Sequence, residues 1–401
     1  MIRNVSDHRS LRDVTSSPKP APATQERPGV IVRVFGRTDV GRTREHNEDA
    51  FLVADLTTGN ASLQEDVRTH VVGERGSLFM VADGLGGAAA GEVASEMAIS
   101  TVYEEMMERW ANTNETDPLV FASALKAAAD VTNQRIYDYA HEHPEHRGLG
   151  TTATIVGVLG DTLYLAQVGD SRAYLLRDGR AYQITKDQSL TQRLVEAGEL
   201  TPEEAERSER RNIILQALGP EPAVKVDLTH QQLRRGDTLV LCTDGLSGLV
   251  SRDEITEVMH EIPDLVLACR ELIDRANEAG GPDNITVVAA QFDGEGLIER
   301  TDSDVVGHTV YQLPGQPATG PDFTELDAEM GIRTSEVPRV IMPPATRHEH
   351  SGPSNRMLVL AISALVVLAI VLMVVRLMKD PAPAAAPPTP DTATAASPAK
   401  Q

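Results

Sequence analysis

The chain has 401 residues and a formal net charge of −22, with only 3 % aromatic residues. No basic stripe is present to displace counterions from a phosphate backbone, and little ring surface is available for base stacking, so nucleic acid is excluded as a partner. Its two cysteines, Cys242 and Cys269, lie far apart within apolar patterns and read as reduced core residues, not as a disulfide framework.

Residues 1–28 are polar and Pro-rich without an apolar core segment, which predicts a disordered arm and not a signal peptide. A globular pattern covers 29–293. Ile31, Arg33, Phe35 and Arg37 alternate with Val32 and Val34, as in a half-buried strand. Spacings of three and four predict helices from 88 to about 110 and from 118 to about 141. Apolar runs either side of Gly160-Asp161, and again either side of Asp178-Gly179, predict successive hairpins and therefore antiparallel sheets. Residues 189–211 are charged and weakly apolar, a helical flap outside the core, and two further helices are expected between 252 and 279. From 294 to 355 periodicity is lost in a Pro-, Gly-, Thr- and acid-rich stretch, the composition of a disordered linker. The 19 residues 357–375 carry no charge and are bracketed by Arg356 and Arg376. As a helix they would reach about 28 Å, near the hydrocarbon thickness of a bilayer, so one transmembrane helix is predicted over 356–378 with a disordered tail at 379–401. Flanking charges are almost balanced, and the orientation rests on the lack of a signal peptide: a cytoplasmic domain on the cell (inner) membrane.

Several apolar runs reach an aspartate: Val81-Ala82-Asp83-Gly84, Cys242-Thr243-Asp244-Gly245, and Pro282-Asp283-Asn284 ahead of Ile285. The pair Glu48-Asp49 opens another run. Carboxylates crowded at buried strand ends repel, and a cation resolves the conflict. Oxygen-only donors suit Mg²⁺ or Mn²⁺, with the Gly84 carbonyl as a further donor where glycine permits a sharp turn. Two such ions can activate a bridging water for in-line attack on phosphorus. Arg44, just upstream of Glu48, offers the fork that suits phosphate. Taken singly, each Asp-Gly is an ordinary turn, Arg44 a surface residue and His46 a solvated one. Asp170, in Val168-Gly169-Asp170-Ser171-Arg172, reads equally as a hairpin turn with a local ion pair.

Six segments in order carry a resemblance: Arg44 to Asp49, Val81 to Gly87, Gly150 to Ala153, Val168 to Tyr174, Cys242 to Leu246, and Asp283 to Thr286. Over about 30–293 the chain resembles the bacterial form of the metal-dependent type 2C Ser/Thr protein phosphatases. The resemblance implies an α+β, four-layer αββα sandwich, with two antiparallel sheets flanked by helices. It implies two divalent cations, Mn²⁺ or Mg²⁺, held by Asp49, Asp83, Gly84, Asp244 and Asp283, with Glu48 acting through water and Arg44 gripping the substrate phosphate. Asp170 would belong to a third metal site, but its second carboxylate position is Gly248, which predicts that this site is weak or absent. Leu85 replaces the histidine proposed as general acid in eukaryotic members, and Gln188 stands where Asp-His-Ser is usual. The expected partners are phosphorylated Ser/Thr proteins, a eukaryotic-like Ser/Thr kinase and its substrates, and membrane lipid through the C-terminal helix. The competing expectation is a non-catalytic pseudophosphatase that only binds phosphoproteins.

Overall fold

The computed structural model describes residues 29–315, apart from 63–65, 87–89, 147 and 302–303. The arm, the linker beyond 315, the apolar run 357–375 and the tail lie outside the described residues. Among the described residues no helix is long and apolar enough to cross a membrane.

Along the chain, β1 (Ile31–Asp39), β2 (Asp49–Asp55), β3 (Asn60–Ser62), β4 (Arg68–Val71) and β5 (Ser77–Leu85) precede α1 (Ala90–Met106) and α2 (Pro118–Glu142). Five strands follow: β6 (Gly150–Thr151), β7 (Ala153–Leu159), β8 (Thr162–Val168), β9 (Arg172–Arg177) and β10 (Arg180–Gln183). Short helices α3 (Leu190–Glu196) and α4 (Pro202–Glu206) lead to β11 (Asp227–Gln232) and β12 (Thr238–Cys242). The last elements are α5 (Asp244–Ser247), α6 (Arg252–Glu261), α7 (Leu265–Glu278) and β13 (Ile285–Asp293).

The strands form two sheets, ordered β10-β9-β12-β13-β1-β4 and β11-β8-β7-β5-β2-β3, with β6 beside β5. Every pairing is antiparallel. Three apolar clusters set the layers. Val32, Val34, Phe79, Val81 and Leu241 fill the space between the sheets. Met80, Ala82 and Ile155 pack outward on α1 and α2, and Val240, Val287 and Phe35 pack outward on α6 and α7. The order is therefore helix, sheet, sheet, helix. Phe35 departs from the half-buried reading of β1: its outward face is covered by α7, so both faces of the strand are apolar there.

Local signals explain the element ends. Asp178 and Gly179 both take positive φ (55° and 69°), as a two-residue type I′ hairpin turn between β9 and β10 requires. Asp117 caps α2 through the amide of Leu119, with Pro118 in the first turn. Ser251 and Glu254 close a capping box on α6.

The stretch from 294, expected to be linker, is packed on the domain as far as it is described. Leu297 and Leu313 are buried. Tyr311 donates its amide to the Leu228 carbonyl at 2.8 Å, and His230 donates to the Thr309 carbonyl at 2.9 Å, so this strap pairs with the free edge of β11. Arg234 grips Asp304 with two bonds of 2.8 Å. Its apolar residues are isolated and its main-chain bonds go to a distant strand, which is why no periodicity marks it.

Candidate active site

Antiparallel register sets Asp49, first residue of β2, directly across from Asp83 in β5. Strand β12 runs into Thr243, which leads α5, so Asp244 opens a short helix and does not sit in a turn. Asp283 lies two residues ahead of β13, the neighbour of β12. Strand order thus gathers all four at one end of the sandwich. Asp83 is not at a turn either, since β5 continues to Leu85.

Hydroxyls and amides fix these carboxyls. Thr243 and Thr286 donate to Asp49 Oδ2 at 2.8 and 2.7 Å, and the Asp49 amide donates to Asn47 Oδ1 at 3.1 Å. The Asp83 amide donates to Thr152 Oγ1 at 3.0 Å, while its carbonyl accepts from Thr151 Oγ1 at 2.8 Å. Glu48 is buried and donates its amide to Asn284 Oδ1 at 2.7 Å. Asn284 in turn donates to the carbonyls of Val40 and His46. The His46 side chain itself is exposed, as expected.

Gly84 lies within β5, its amide donating to the Glu48 carbonyl at 3.1 Å. The sharp turn expected there is absent, and glycine is required for a different reason. A Cβ on Gly84 would stand 2.2 Å from the Gly91 carbonyl oxygen, and one on Gly91 would stand 2.9 Å from the Glu48 carboxyl carbon. The first turn of α1 therefore rests directly on the Glu48–Gly84 backbone. Gly91, Thr243, Thr286, Asn284, Thr151 and Thr152 had no role assigned from sequence. Their partners are remote in the chain; only the polar character of buried strand-end positions hints at them.

Arg44 lies on the loop before β2, whose Arg42 amide and Thr43 hydroxyl donate to the carbonyls of Gly281 and Pro282. Its Nη2 bonds both oxygens of Asp283 (2.9 and 3.0 Å), and its Nη1 is 3.7 Å from Glu48 Oε2. The side chain remains 44 % exposed, leaving part of the fork free for a ligand.

The carboxyls feel one another. Burial pushes Asp49 up to about 7, helped by Asp244 and Asp283 and opposed by the two threonine hydroxyls. Burial raises Asp83 well above the carboxylate range, and Asp49, Asp244, Asp170 and Asp283 add to it. Asp244 is raised by burial and by Asp283, and its carboxyl lies within hydrogen-bonding reach of Asp83. Asp170 joins this group rather than closing a simple hairpin: burial and Asp244 push it up to about 8, and its Oδ1 is buried with no hydrogen-bond partner. Arg172, the residue next to this turn, turns instead to Asp187, with bonds of 2.7–3.1 Å. Gly248, exposed beyond α5, supplies no carboxylate.

Among the described residues no three His, Cys, Asp or Glu side chains form a ready-made cage. Asp283 gives its oxygens to Arg44, and Asp49 gives one to the threonines. The donor set nevertheless fits hard divalent cations. It is all oxygen, it stands on rigid strand ends, and its raised proton affinities mark negative charge that a cation would relieve. The orphaned Asp170 oxygen points the same way.

The family model for protein phosphatase 2C matches residues 58–278, more than half of the chain. The serine/threonine phosphatase stp of Listeria monocytogenes is 36 % identical over 261 residues, covering 64 % of this chain and 94 % of that protein. The serine/threonine protein phosphatase PstP of Mycobacterium tuberculosis is 38 % identical over 263 residues, 65 % of this chain but 45 % of that protein. The chain thus spans under half the length of PstP. The catalytic domain of PstP, solved in complex with two manganese ions, superposes with a TM-score of 0.53 at 36 % identity, covering 66 % of this chain and 99 % of that one. The chain belongs to the protein phosphatase 2C family.

Proposed function

We propose that the chain is a metal-dependent protein serine/threonine phosphatase that hydrolyses phosphoserine and phosphothreonine esters. The observation that carries this reading is the gathering of Asp49, Asp83, Asp244 and Asp283 at one end of the sandwich, beside the half-exposed fork of Arg44. Asp49, Asp83, the Gly84 carbonyl, Asp244 and Asp283 would hold two cations, Mn²⁺ or Mg²⁺, with Glu48 acting through water. When bound, such ions supply a nucleophile by lowering the pKa of water and offset charge on the reacting phosphoryl group. Arg44 binds and orients the phosphate through paired N–H donors. Thr243 and Thr286 hold the Asp49 carboxyl, and Thr151 and Thr152 fix the Asp83 backbone through its carbonyl and amide. Leu85 has no proton to give, so the proton for the leaving serine or threonine oxygen would come from water or another group. Asp170 lacks a second carboxylate at Gly248, which favours two tightly held ions over three.

The protein substrates would be those of a eukaryotic-like Ser/Thr kinase. The uncharged run 357–375 supports a single-pass anchor in the cell membrane, with the phosphatase domain on the cytoplasmic side; recovery of the full chain in the membrane fraction after a carbonate wash tests that placement. For the activity, purified protein with Mn²⁺ is expected to release phosphate from a phosphothreonine peptide. A folded protein that releases none would sink the enzyme reading in favour of a phosphoprotein-binding pseudophosphatase.

A further inference from the structure

The flap carried by α3 and α4 buries little of itself: Thr191 is the buried residue of α3, and α4 has none. A segment this loosely packed takes its position from its root. Gln188, just ahead of α3, uses all four of its polar groups there. Its amide donates to the Gly169 carbonyl at 2.9 Å, and its own carbonyl accepts from the Leu215 amide at 2.8 Å. Its side-chain Oε1 accepts from the Gly169 amide at 2.9 Å, and Nε2 donates to the Lys225 carbonyl at 3.2 Å. One residue thus ties together the entering arm of the flap, its returning arm and the turn that presents Asp170.

That turn is itself seated against the site. Gly169 has φ +99°, and a Cβ there would meet the Thr152 side chain at 2.7 Å. Thr152 Oγ1 accepts the Asp83 amide at 3.0 Å and lies 2.8 Å from Ser171 Oγ. Gln188, Gly169, Thr152 and Asp83 are therefore successive contacts from the flap root to the carboxyl cluster. Exposed flap residues carry both signs, Arg207, Arg210 and Arg211 among Glu199, Glu203, Glu206 and Glu209, a polar surface that the polypeptide around a phosphoryl group can meet.

We propose that Gln188 is a positioning residue: its side chain clamps the flap to the Gly169–Asp170 turn and so sets affinity for the peptide part of the substrate, not for the phosphoryl group. The substrate half of this proposal rests on the phosphatase reading; the clamp does not. Two experiments on the full chain separate them. In Gln188→Ala, which loses the side-chain hydrogen bonds to Gly169, Lys225 and Gln167, amide hydrogen exchange is expected to quicken about tenfold over 190–213 and to stay unchanged in the sheets. With Mn²⁺, KM for a phosphothreonine peptide is expected to rise about tenfold, while kcat and KM for p-nitrophenyl phosphate stay within about twofold. Unchanged flap exchange in Gln188→Ala overturns the clamp. Equal changes for peptide and aryl phosphate overturn the assignment to peptide affinity. A wild-type chain that turns over neither substrate defeats the phosphatase reading and the substrate half, while exchange still decides the clamp.

Discussion

The two ends of the sandwich treat buried carboxylates in opposite ways. At the far end, Asp237 is fully buried and fully answered: Arg177 grips it with bonds of 3.0 and 2.7 Å, and the Arg234 amide donates to it at 2.7 Å. Arg234 spends its guanidinium on Asp304 in the strap. At the site end, Asp83 and Asp244 have each other for company, and Asp170 keeps an oxygen with no partner. The same strands β9 and β12 span both ends, so the scaffold can pair a buried carboxylate and does so where only stability is at stake. At the other end the carboxyls crowd one another and one Asp170 oxygen has no partner, as in a site that holds its charge for a ligand.

Substitutions at the two ends should separate activity from stability. Asp83→Asn is expected to cost at least about a thousandfold in phosphate release, while leaving the EDTA-treated protein no less stable, because an amide escapes the cost of ionising a carboxyl in the crowded cluster. Turnover assays and thermal melts check both. Arg177→Met should do the reverse: stranding Asp237 costs about 3–5 kcal/mol in denaturant titrations, with turnover per folded molecule unchanged.

Metal removal should make stability depend on pH with a defined sign. Asp49, raised to about 7, and Asp170, raised to about 8, hold protons in the folded chain that the unfolded chain has already released above about 4. Their contribution is therefore intact below about pH 4 and is lost as pH rises through 7 and 8. Calorimetric melts in EDTA should fall over that window, and Mn²⁺ should flatten the slope. A melt in EDTA that rises toward pH 8 would contradict the account of the crowded end.

Smaller effects sharpen the comparison further. Arg44→Lys keeps the charge but loses the fork, and KM is expected to rise about tenfold in steady-state assays with less change in kcat. Arg234→Ala should lower the melting temperature less than Arg177→Met and quicken amide exchange over 304–313, without altering kcat.

Much of this was legible in the chain because it is local. Hairpins at Gly160-Asp161 and Asp178-Gly179, and the apolar stripes of α1, α2, α6 and α7, are written in consecutive residues. The acids and Arg44 were legible as a set because each stands beside a strand-like run. What was hidden depends on distant partners. The strap on β11 has no period of its own, Gly91 matters only because Gly84 and Glu48 lie against it, and Thr243 and Thr286 acquire their role when β12 and β13 bring their hydroxyls to Asp49. Gly84 shows the same limit in reverse: a glycine requirement was legible there, but the constraint is the close approach of α1 and not a turn.

The most direct measurement is a calorimetric Mn²⁺ titration of the wild-type chain and of Asp83→Asn, each followed by phosphothreonine-peptide turnover. The account predicts two tightly held ions and turnover in the wild type, and loss of both in the variant. Equal Mn²⁺ binding by the two proteins, or turnover that survives in Asp83→Asn, would contradict it.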